Sequence, residues 1–412
     1  MTTDVDAPRT ETHEQAEFRA EVRDFLAANA KPRQDASPWA VNIHTSEDDA
    51  RASFEEGCRW QRTLFDHGLA GLTLPTEYGG RGGQAWMESI YREEAAPYEN
   101  SVGFIGATMA MLLPTLMKHA TEEQKAEYIP KMLSAEYQIC QLFSEPGAGS
   151  DLASLGARAV RDGDEFVVTG QKVWNSAAQF CNRGMLLTRT NPDAPKHQGI
   201  TFLLVDMSTP GIEVRPLVQP TGASHFNEVF FSEARIPVAN VVGEIDGGWK
   251  PARTVLSNES AFIGGGGGGP SITDKLRMLA EEFDVSDDAI IRQGLATAYT
   301  RERVLEFMSA RIMAAVRMRE VPPMDPSILK LFIAESRVQT GNLGMVIGGA
   351  AAQAGDAEET TWMQFELLNR FGISIGGGTN EVQRNNLAER ALGLPKEPGY
   401  DKTMAWKDIP RS

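Results

Sequence analysis

Three stretches of this sequence carry groups whose types and spacing could hold an aromatic cofactor or a phosphate. In SEPGAGSD, residues 144–151, small and hydroxyl residues surround a proline-fixed bend directly after an apolar run. Exposed backbone N–H groups and hydroxyls of that kind suit a phosphate or the edge of a heteroaromatic ring. Further along, QKVWNSAA supplies the flat face of Trp174, with the hydroxyl of Ser176 two positions later. On a β-strand these two side chains share a face. An aromatic plane beside a hydroxyl donor suits a flavin, whose reduction builds charge on the ring system; a plain core tryptophan is the competing account. The third stretch, ISIGGGTNEVQRN at 373–385, contains the consecutive glycines Gly376, Gly377 and Gly378. Lacking Cβ atoms, they let a ligand approach backbone N–H groups closely. The run matches neither G-x-G-x-x-G nor G-x-x-x-x-G-K-S/T, so neither a Rossmann fold nor a P-loop follows from it, and a flexible turn is the simpler account.

The elements that must position these groups are bounded by composition. At 412 residues the chain is long enough for two or three domains and a large core. With 42% hydrophobic and 23% charged residues it has the make-up of an ordinary soluble globular protein. Forty Lys and Arg against 56 Asp and Glu leave a formal charge of −16, which repels polyanions and argues against nucleic acid as a partner. Cys58, Cys140 and Cys181 are widely spaced and lack the C-x-x-C pattern of a zinc or redox site, so no metal is expected and a reducing cytoplasm suits them. No apolar run is long enough to span a bilayer. The start, MTTDVDAPRTETHEQ, is acidic and polar where a signal peptide would be basic and then apolar, and residues 1–15 read as a flexible tail.

From Ala16 the apolar residues Phe18, Val22, Phe25 and Leu26 recur at helical spacing, and similar segments follow through MAMLLPTLMKHATEEQKAEYIPKML, so residues 16–136 read as a helical domain. Near Tyr137 the texture changes to short β-rich runs separated by turn residues, among them QICQLFSE, GMLLTRTN and GITFLLVDMSTPGIEVRPL. Residues 137–246 therefore read as an antiparallel sandwich or barrel. Long helical patterns return over 247–412, without the period of a repeat array. The order is helices, strands, helices.

SEPGAGSDLASL, then GQKVWNSAA, then G-G-T-x-E-x-Q-R-N near the C-terminus resemble, in this order, the acyl-CoA dehydrogenase family. GLAGLTLPTEYGGRGG at 68–83 and TEEQKAEYIPKML at 121–133 are similar to that family's N-terminal helical domain, so the resemblance covers essentially the whole chain. It implies an α+β fold: an N-terminal helical domain, a central antiparallel β domain and a C-terminal four-helix bundle, assembled as a tetramer with FAD partly across a subunit interface. Residue by residue, it implies that Phe143 and Ser144 contact the flavin, that Trp174 and Ser176 lie beside its N5 region, and that Ser150 lies near the CoA moiety. Thr379 and Glu381 would hold the phosphates or the adenosine side, although many relatives carry Gln where Glu381 stands. Arg311 is similar to the arginine that reaches a neighbouring subunit's FAD, without the usual R-x-x-F-G context. Gly348 and Gly349 match a further FAD-contacting stretch, with Met345 where an upstream Gln is common.

The family's reaction gives the α-proton of an acyl thioester to a carboxylate while the β-hydrogen leaves as hydride to flavin N5. The thioester carbonyl must be polarised, which relatives achieve with a flavin ribityl hydroxyl and a backbone N–H beside the base. Many relatives carry that base as the Glu of a Y-E-G-T motif. Alignment on Thr379 places Gly377 there, which keeps the N–H and loses the carboxylate. Some branches, isovaleryl-CoA dehydrogenase among them, carry the base on the helix that opens the C-terminal domain. Here that helix contains TVLSNESAF, and Glu259 falls at the position, followed by Ser260 where an arginine is common. A carboxylate in an apolar acyl pocket has a raised pKa, which suits a base for a weakly acidic proton; a solvated helix glutamate is the plainer account. The six glycines at 264–269, ended by Pro270, are either a linker or side-chain-free backbone that widens the cavity for a bulky or branched acyl chain.

The resemblance thus implies an FAD-dependent acyl-CoA dehydrogenase of fatty acid or sterol degradation, with Glu259 as base, electron-transfer flavoprotein as acceptor and a cytoplasmic location. Gly377, Met345 and the context of Arg311 keep open a second expectation, a subunit of a heterotetramer whose partner completes the site. A flavin oxidase or monooxygenase on the same fold is the third.

Overall fold

The computed structural model describes residues 11–33, 37–41, 44, 46–99, 102–263, 271–318, 327–396, 399 and 401–410. Helix α1 (His13–Asn29) starts three residues ahead of the expected tail boundary, because Thr12 and Gln15 form a capping box that satisfies two otherwise orphaned N–H groups. Its buried face is Phe18, Val22, Phe25 and Leu26, the set picked out by periodicity. A two-residue pairing of β1 (Lys31–Pro32) with β2 (Tyr98–Glu99) ties together the ends of the segment holding α2 (Glu47–Asp66) and α3 (Ala85–Ala95). The apolar stretch after it forms two helices, α4 (Gly103–His119) and α5 (Glu122–Leu133). The chain breaks between them at Thr121, whose side chain caps α5 in a second capping box with Gln124.

The middle of the chain supplies β3 (Ile139–Leu142), β4 (Arg158–Asp162), β5 (Glu165–Val173), β6 (Arg183–Arg189), β7 (Ile200–Asp206), β8 (Ile212–Leu217) and β9 (Phe226–Pro237) in one sheet. Pairing is antiparallel except around β6, which runs parallel to β3 and β4. Strand β7 occupies the whole of one edge of β6, so β3 and β4 share the other: β3 lies along Arg183 to Leu186, and β4 meets β6 at Arg189. Residues 143–157, including SEPGAGSD, are therefore an excursion between two collinear strand segments.

After the sheet come α6 (Trp249–Ile263), α7 (Ile272–Glu282), α8 (Ala289–Arg317), α9 (Ser327–Ala354), α10 (Glu358–Asn369), α11 (Gly372–Ile375) and α12 (Asn380–Asn386). Helices α7 to α10 form the expected four-helix bundle, with Leu276, Leu279, Ile291, Ile347, Trp362 and Met363 in its core. Helix α6 packs elsewhere. It buries Ala252 and Val255 in the core shared by the N-terminal helices and the sheet, and the His119 ring nitrogen meets the Thr254 hydroxyl at 2.9 Å. Helix α9 is kinked at Gly349, where φ is +52° and an L side chain would be strained. The six glycines at 264–269 lie outside the described residues. Among the described residues, no helix is long and apolar enough to cross a membrane.

Candidate active site

Strand β3 delivers Gln141 and Leu142 to the start of the excursion. The next residue, Phe143, is buried and packs edge-on against Phe202, with centroids 5.8 Å apart. The Ser144 carbonyl accepts the Val173 N–H at 3.0 Å, joining the excursion to the end of β5. Beneath this junction lies an ion pair, its lysine fully buried, that sequence reasoning passed over. The Lys172 ammonium donates to the Glu145 carboxylate at 2.7 Å and to the Phe143 carbonyl at 3.0 Å. Glu145 in turn accepts the Gly156 N–H at 2.7 Å and the Ala157 N–H at 2.9 Å. Burial pushes the Lys172 ammonium below its ordinary pKa, against the opposing pull of Glu145. A buried charge survives when paired and hydrogen-bonded in this way. The one signal available in the sequence was that both residues stand inside the quoted motifs.

Trp174 and Ser176 are not on a strand. β5 ends at Val173, Trp174 has φ +64° and Ala177 φ +52°, so the chain turns and the period-two argument fails. Asn175 imposes the turn. It is 1% exposed, donates through its side chain to the Gln141 carbonyl at 2.7 Å, and exchanges backbone and side-chain bonds with Asn227 at 3.0 and 2.8 Å. Trp174 is left 60% exposed, its ring touching Phe226 edge-on, while Ser176 is half-buried. Ser150 is exposed on the excursion.

Glu259, on α6, comes to the same place. The Gln141 side-chain amide approaches its carboxylate at 3.5 Å while the Gln141 carbonyl holds Asn175. Burial pushes the Glu259 carboxyl up from its ordinary pKa, opposed in part by the Gln141 amide. Glu259 is thus one residue removed from the turn that presents Trp174 and Ser176.

The glycine stretch forms a second cluster, in the bundle. Gly377 and Gly378 have φ of +65° and +87°, the left-handed region where glycine is favoured. The Gln383 side chain donates to the Gly377 carbonyl at 3.0 Å, and the buried Lys330 ammonium donates to the Gly378 carbonyl. In a trans peptide the C=O of one residue opposes the N–H of the next, so the N–H groups of Gly378 and Thr379 face away from these two anchors. Burial lowers the Lys330 pKa. The Thr379 hydroxyl accepts the Val382 N–H at 3.2 Å and caps α12; Glu381 is exposed and pairs with Arg384 at 3.2 Å. Beside them opens a cleft of about 510 Å³, lined by Ser374, Thr379, Asn380 and Glu381 on one side and Glu335, Val338 and Gln339 of α9 on the other. The Ser374 hydroxyl and the Asn380 side-chain amide oxygen are buried nearby without a protein hydrogen-bond partner. Arg311 is exposed on α8, and among the described residues no hydrogen bond or ion pair joins it, or the ring-side cluster, to this cleft.

These features fit a flavin dinucleotide: an uncovered indole face, a turn with a hydroxyl, and a polar cleft bordered by glycine backbone. Among the described residues there is no group of three or more metal-ligating side chains placed to hold an ion.

Comparison with known proteins identifies the family. Family models described as "Acyl-CoA dehydrogenase, N-terminal domain", "middle domain" and "C-terminal domain" match residues 12–136, 140–234 and 247–392. The chain is 37% identical over 389 residues to acyl-CoA dehydrogenase IpdE1 of Mycobacterium tuberculosis (strain ATCC 25618 / H37Rv), covering 92% of this chain and 98% of that protein. Among solved structures it is similar to the "Tcur3481-Tcur3483 steroid ACAD", with 28% identity, a TM-score of 0.69, and coverage of 94% of this chain and 99% of that one. It is similar also to the ChsE4-ChsE5 complex of Mycobacterium tuberculosis, with 28% identity, a TM-score of 0.70 and coverage of 95% and 100%. With relatives of this identity aligned over nearly their full length and all three domains matched in order, the chain belongs to the acyl-CoA dehydrogenase family of oxidoreductases.

Proposed function

We propose that this acyl-CoA dehydrogenase binds FAD and desaturates the α,β bond of a bulky, sterol-derived acyl-CoA, with Glu259 as the base. The observation that carries the reading is the placement of Glu259 beside Gln141 and Asn175, its carboxyl held above its ordinary pKa by burial. A proton acceptor with a raised pKa is better matched to a weakly acidic α-proton than an ordinary solvated carboxylate. FAD bound between the two clusters would accept the β-hydrogen as hydride at N5. The Trp174 face and the Ser176 hydroxyl would border its ring, with Phe143 and Ser144 along one side. The Gly377 N–H would polarise the thioester carbonyl, Ser150 would lie toward CoA, and Thr379 and Glu381 toward the FAD phosphates or adenosine. Arg311 would act on a neighbouring subunit's cofactor. The domains of this reading span 16–136, 137–246 and 247–412, and the protein works in the cytoplasm with an electron-transfer flavoprotein as acceptor.

Substrate class rests on the relative described as a steroid ACAD. Glu259→Gln tests the base. Mixed anaerobically with sterol-like, branched and short acyl-CoAs, the variant should keep its yellow flavin and fail to bleach it, whereas wild type bleaches with the sterol-like class. Bleaching by Glu259→Gln at the wild-type rate would remove Glu259 from the role. Oxygen uptake during turnover without an added acceptor would replace the dehydrogenase reading with an oxidase or monooxygenase.

A second observation favours a two-chain assembly. The bundle exposes Tyr299, Phe307 and Met313 on one side of α8, apolar surface of the kind that subunits cover, and a solved relative is itself a complex of two named chains. Native mass spectrometry of the chain alone and with a co-purifying partner separates a homotetramer from a heterotetramer. A colourless chain that turns yellow only with its partner would assign the completing FAD contacts to that partner.

A further inference from the structure

Residues 401–410 lie beyond the stretch that the family models match, yet they return from the bundle to the β domain. Ala405 pairs with Pro195 in a β-bridge, the Trp406 N–H donates to the Ala194 carbonyl at 2.9 Å, and the Lys407 N–H donates to the Pro192 carbonyl at 3.1 Å. The Lys407 ammonium adds an exposed ion pair with Asp193 at 2.6 Å. Ile409 is buried. This segment therefore lies along the loop that joins β6 to β7, bridged at Ala405 and then turning through a 3-10 turn at Trp406–Asp408.

The indole of Trp406 reaches past that loop to the excursion carrying SEPGAGSD. Its N–H donates to the Ser154 carbonyl at 3.4 Å, and a Cβ on Gly156 would stand 3.6 Å from its ring. The Arg189 guanidinium stacks over the same ring, 4.7 Å from its centre, and donates to the Ala153 carbonyl at 2.6 Å and the Lys196 carbonyl at 2.9 Å. Lys196, buried, pairs with Asp151, the neighbour of Ser150. Trp406 and Arg189 together thus hold the far half of the excursion, while Lys172 and Glu145 hold the near half.

We propose that residues 401–410 are a strap whose Trp406 is a positioning residue for the loop at 150–156, and that the strap sets affinity for the CoA portion of the substrate. This rests on the reading above that Ser150 lies toward CoA. Residues 150–156 take no part in the sheet, so their geometry depends on what packs behind them. A flat indole clamped between a guanidinium and a side-chain-free glycine fixes both the depth and the tilt of that loop.

The test uses the flavin-loaded protein, with any chain that co-purifies, in wild type, Trp406→Ala, Trp406→Phe, Trp406→Leu and Lys407→Ala. Isothermal titration with coenzyme A is followed by steady-state kinetics and hydrogen exchange. Trp406→Ala should weaken CoA binding and raise KM about tenfold with kcat within about twofold, the scale expected of a misplaced binding loop. Exchange should rise in the peptide covering 150–156 and stay unchanged in the bundle. Trp406→Phe, which keeps a ring for Arg189 and Gly156, should recover most of the loss, and Lys407→Ala should match wild type. A Trp406→Ala protein that binds CoA as tightly as wild type overturns the strap. So does a Trp406→Ala protein that loses kcat and folding together while Trp406→Phe binds CoA no more tightly than Trp406→Leu. A wild-type protein whose flavin is reduced by acyl-CoA but whose binding of acyl-CoA gains nothing from the CoA portion overturns the Ser150 reading instead.

Discussion

The ring-side cluster and the glycine cleft are held in place by different means. At the first, buried side chains carry the frame that presents Trp174, Ser176 and Glu259: hydrogen bonds link Gln141, Asn175 and Asn227, Lys172 pairs with Glu145, and the side-chain oxygens of Asn175 and Asn227 stay enclosed without protein partners. At the second, backbone carries the frame: two side chains hold the carbonyls of Gly377 and Gly378, whose φ values only glycine favours. The contrast teaches that the two ends of one site can be positioned by different means, buried side chains at one and glycine backbone at the other, so they answer to different substitutions.

That contrast can be broken at several points. The largest effect belongs to Glu259→Gln, which should cut the rate of flavin reduction by about 10³-fold or more in rapid-mixing experiments, within the usual range for removing a general base. Next, Lys172→Met leaves the largely buried Glu145 carboxylate without its cation and should cost about 3–5 kcal/mol in urea unfolding, since breaking a buried pair strands a charge. An unchanged midpoint would show that the ring-side frame does not depend on this pair. At the cleft, Lys330→Met strands only a carbonyl and should cost about 1–3 kcal/mol, with weaker FAD retention on dialysis as the more telling readout. Thr379→Ala removes a helix cap and should cost about 1 kcal/mol by the same unfolding assay.

The smallest effect sharpens the comparison through pH. A carboxyl whose folded pKa lies above its unfolded value binds its proton more tightly in the native state. The native state is therefore penalised as pH rises from the ordinary glutamate range through the folded pKa of Glu259. Glu259→Gln should melt slightly higher than wild type at pH 8 and lose that advantage near pH 4. Wild-type flavin reduction should climb over the same window as the base ionises. A melting difference independent of pH would mean that the carboxyl is not desolvated.

Much of the architecture was legible because it is written in local periodicity. Phe18, Val22, Phe25 and Leu26 all face the core of α1, and the change of texture near Tyr137 falls two residues before β3 begins at Ile139. The cap at Thr12 was equally local, T-x-x-Q ahead of an apolar run, and was overlooked. What was not legible depends on partners distant in sequence. QKVW reads as a strand, and only the exchange between Asn175 and Asn227 turns Trp174 into the left-handed region. Gln141 and Glu259 stand 118 residues apart, and a glutamine inside a short apolar run carries no mark of the carboxylate it approaches. The parallel pairing of β3 and β4 with β6 is hidden for the same reason, since the strands look alike whichever way their neighbours run.

The excursion between β3 and β4 has an evolutionary corollary. Because both segments lie on the same edge of β6, the chain leaves the sheet and rejoins it on one line, and the register on either side does not depend on what is said in between. The exposed positions Pro146, Gly147, Gly149 and Ser150 can then be rewritten, provided that Ala148 and Leu152 stay in the core, Asp151 keeps Lys196, and Glu145 still accepts the Gly156 and Ala157 N–H groups. Such a layout lets ligand preference drift by small edits while the frame that aims the reacting groups is inherited intact.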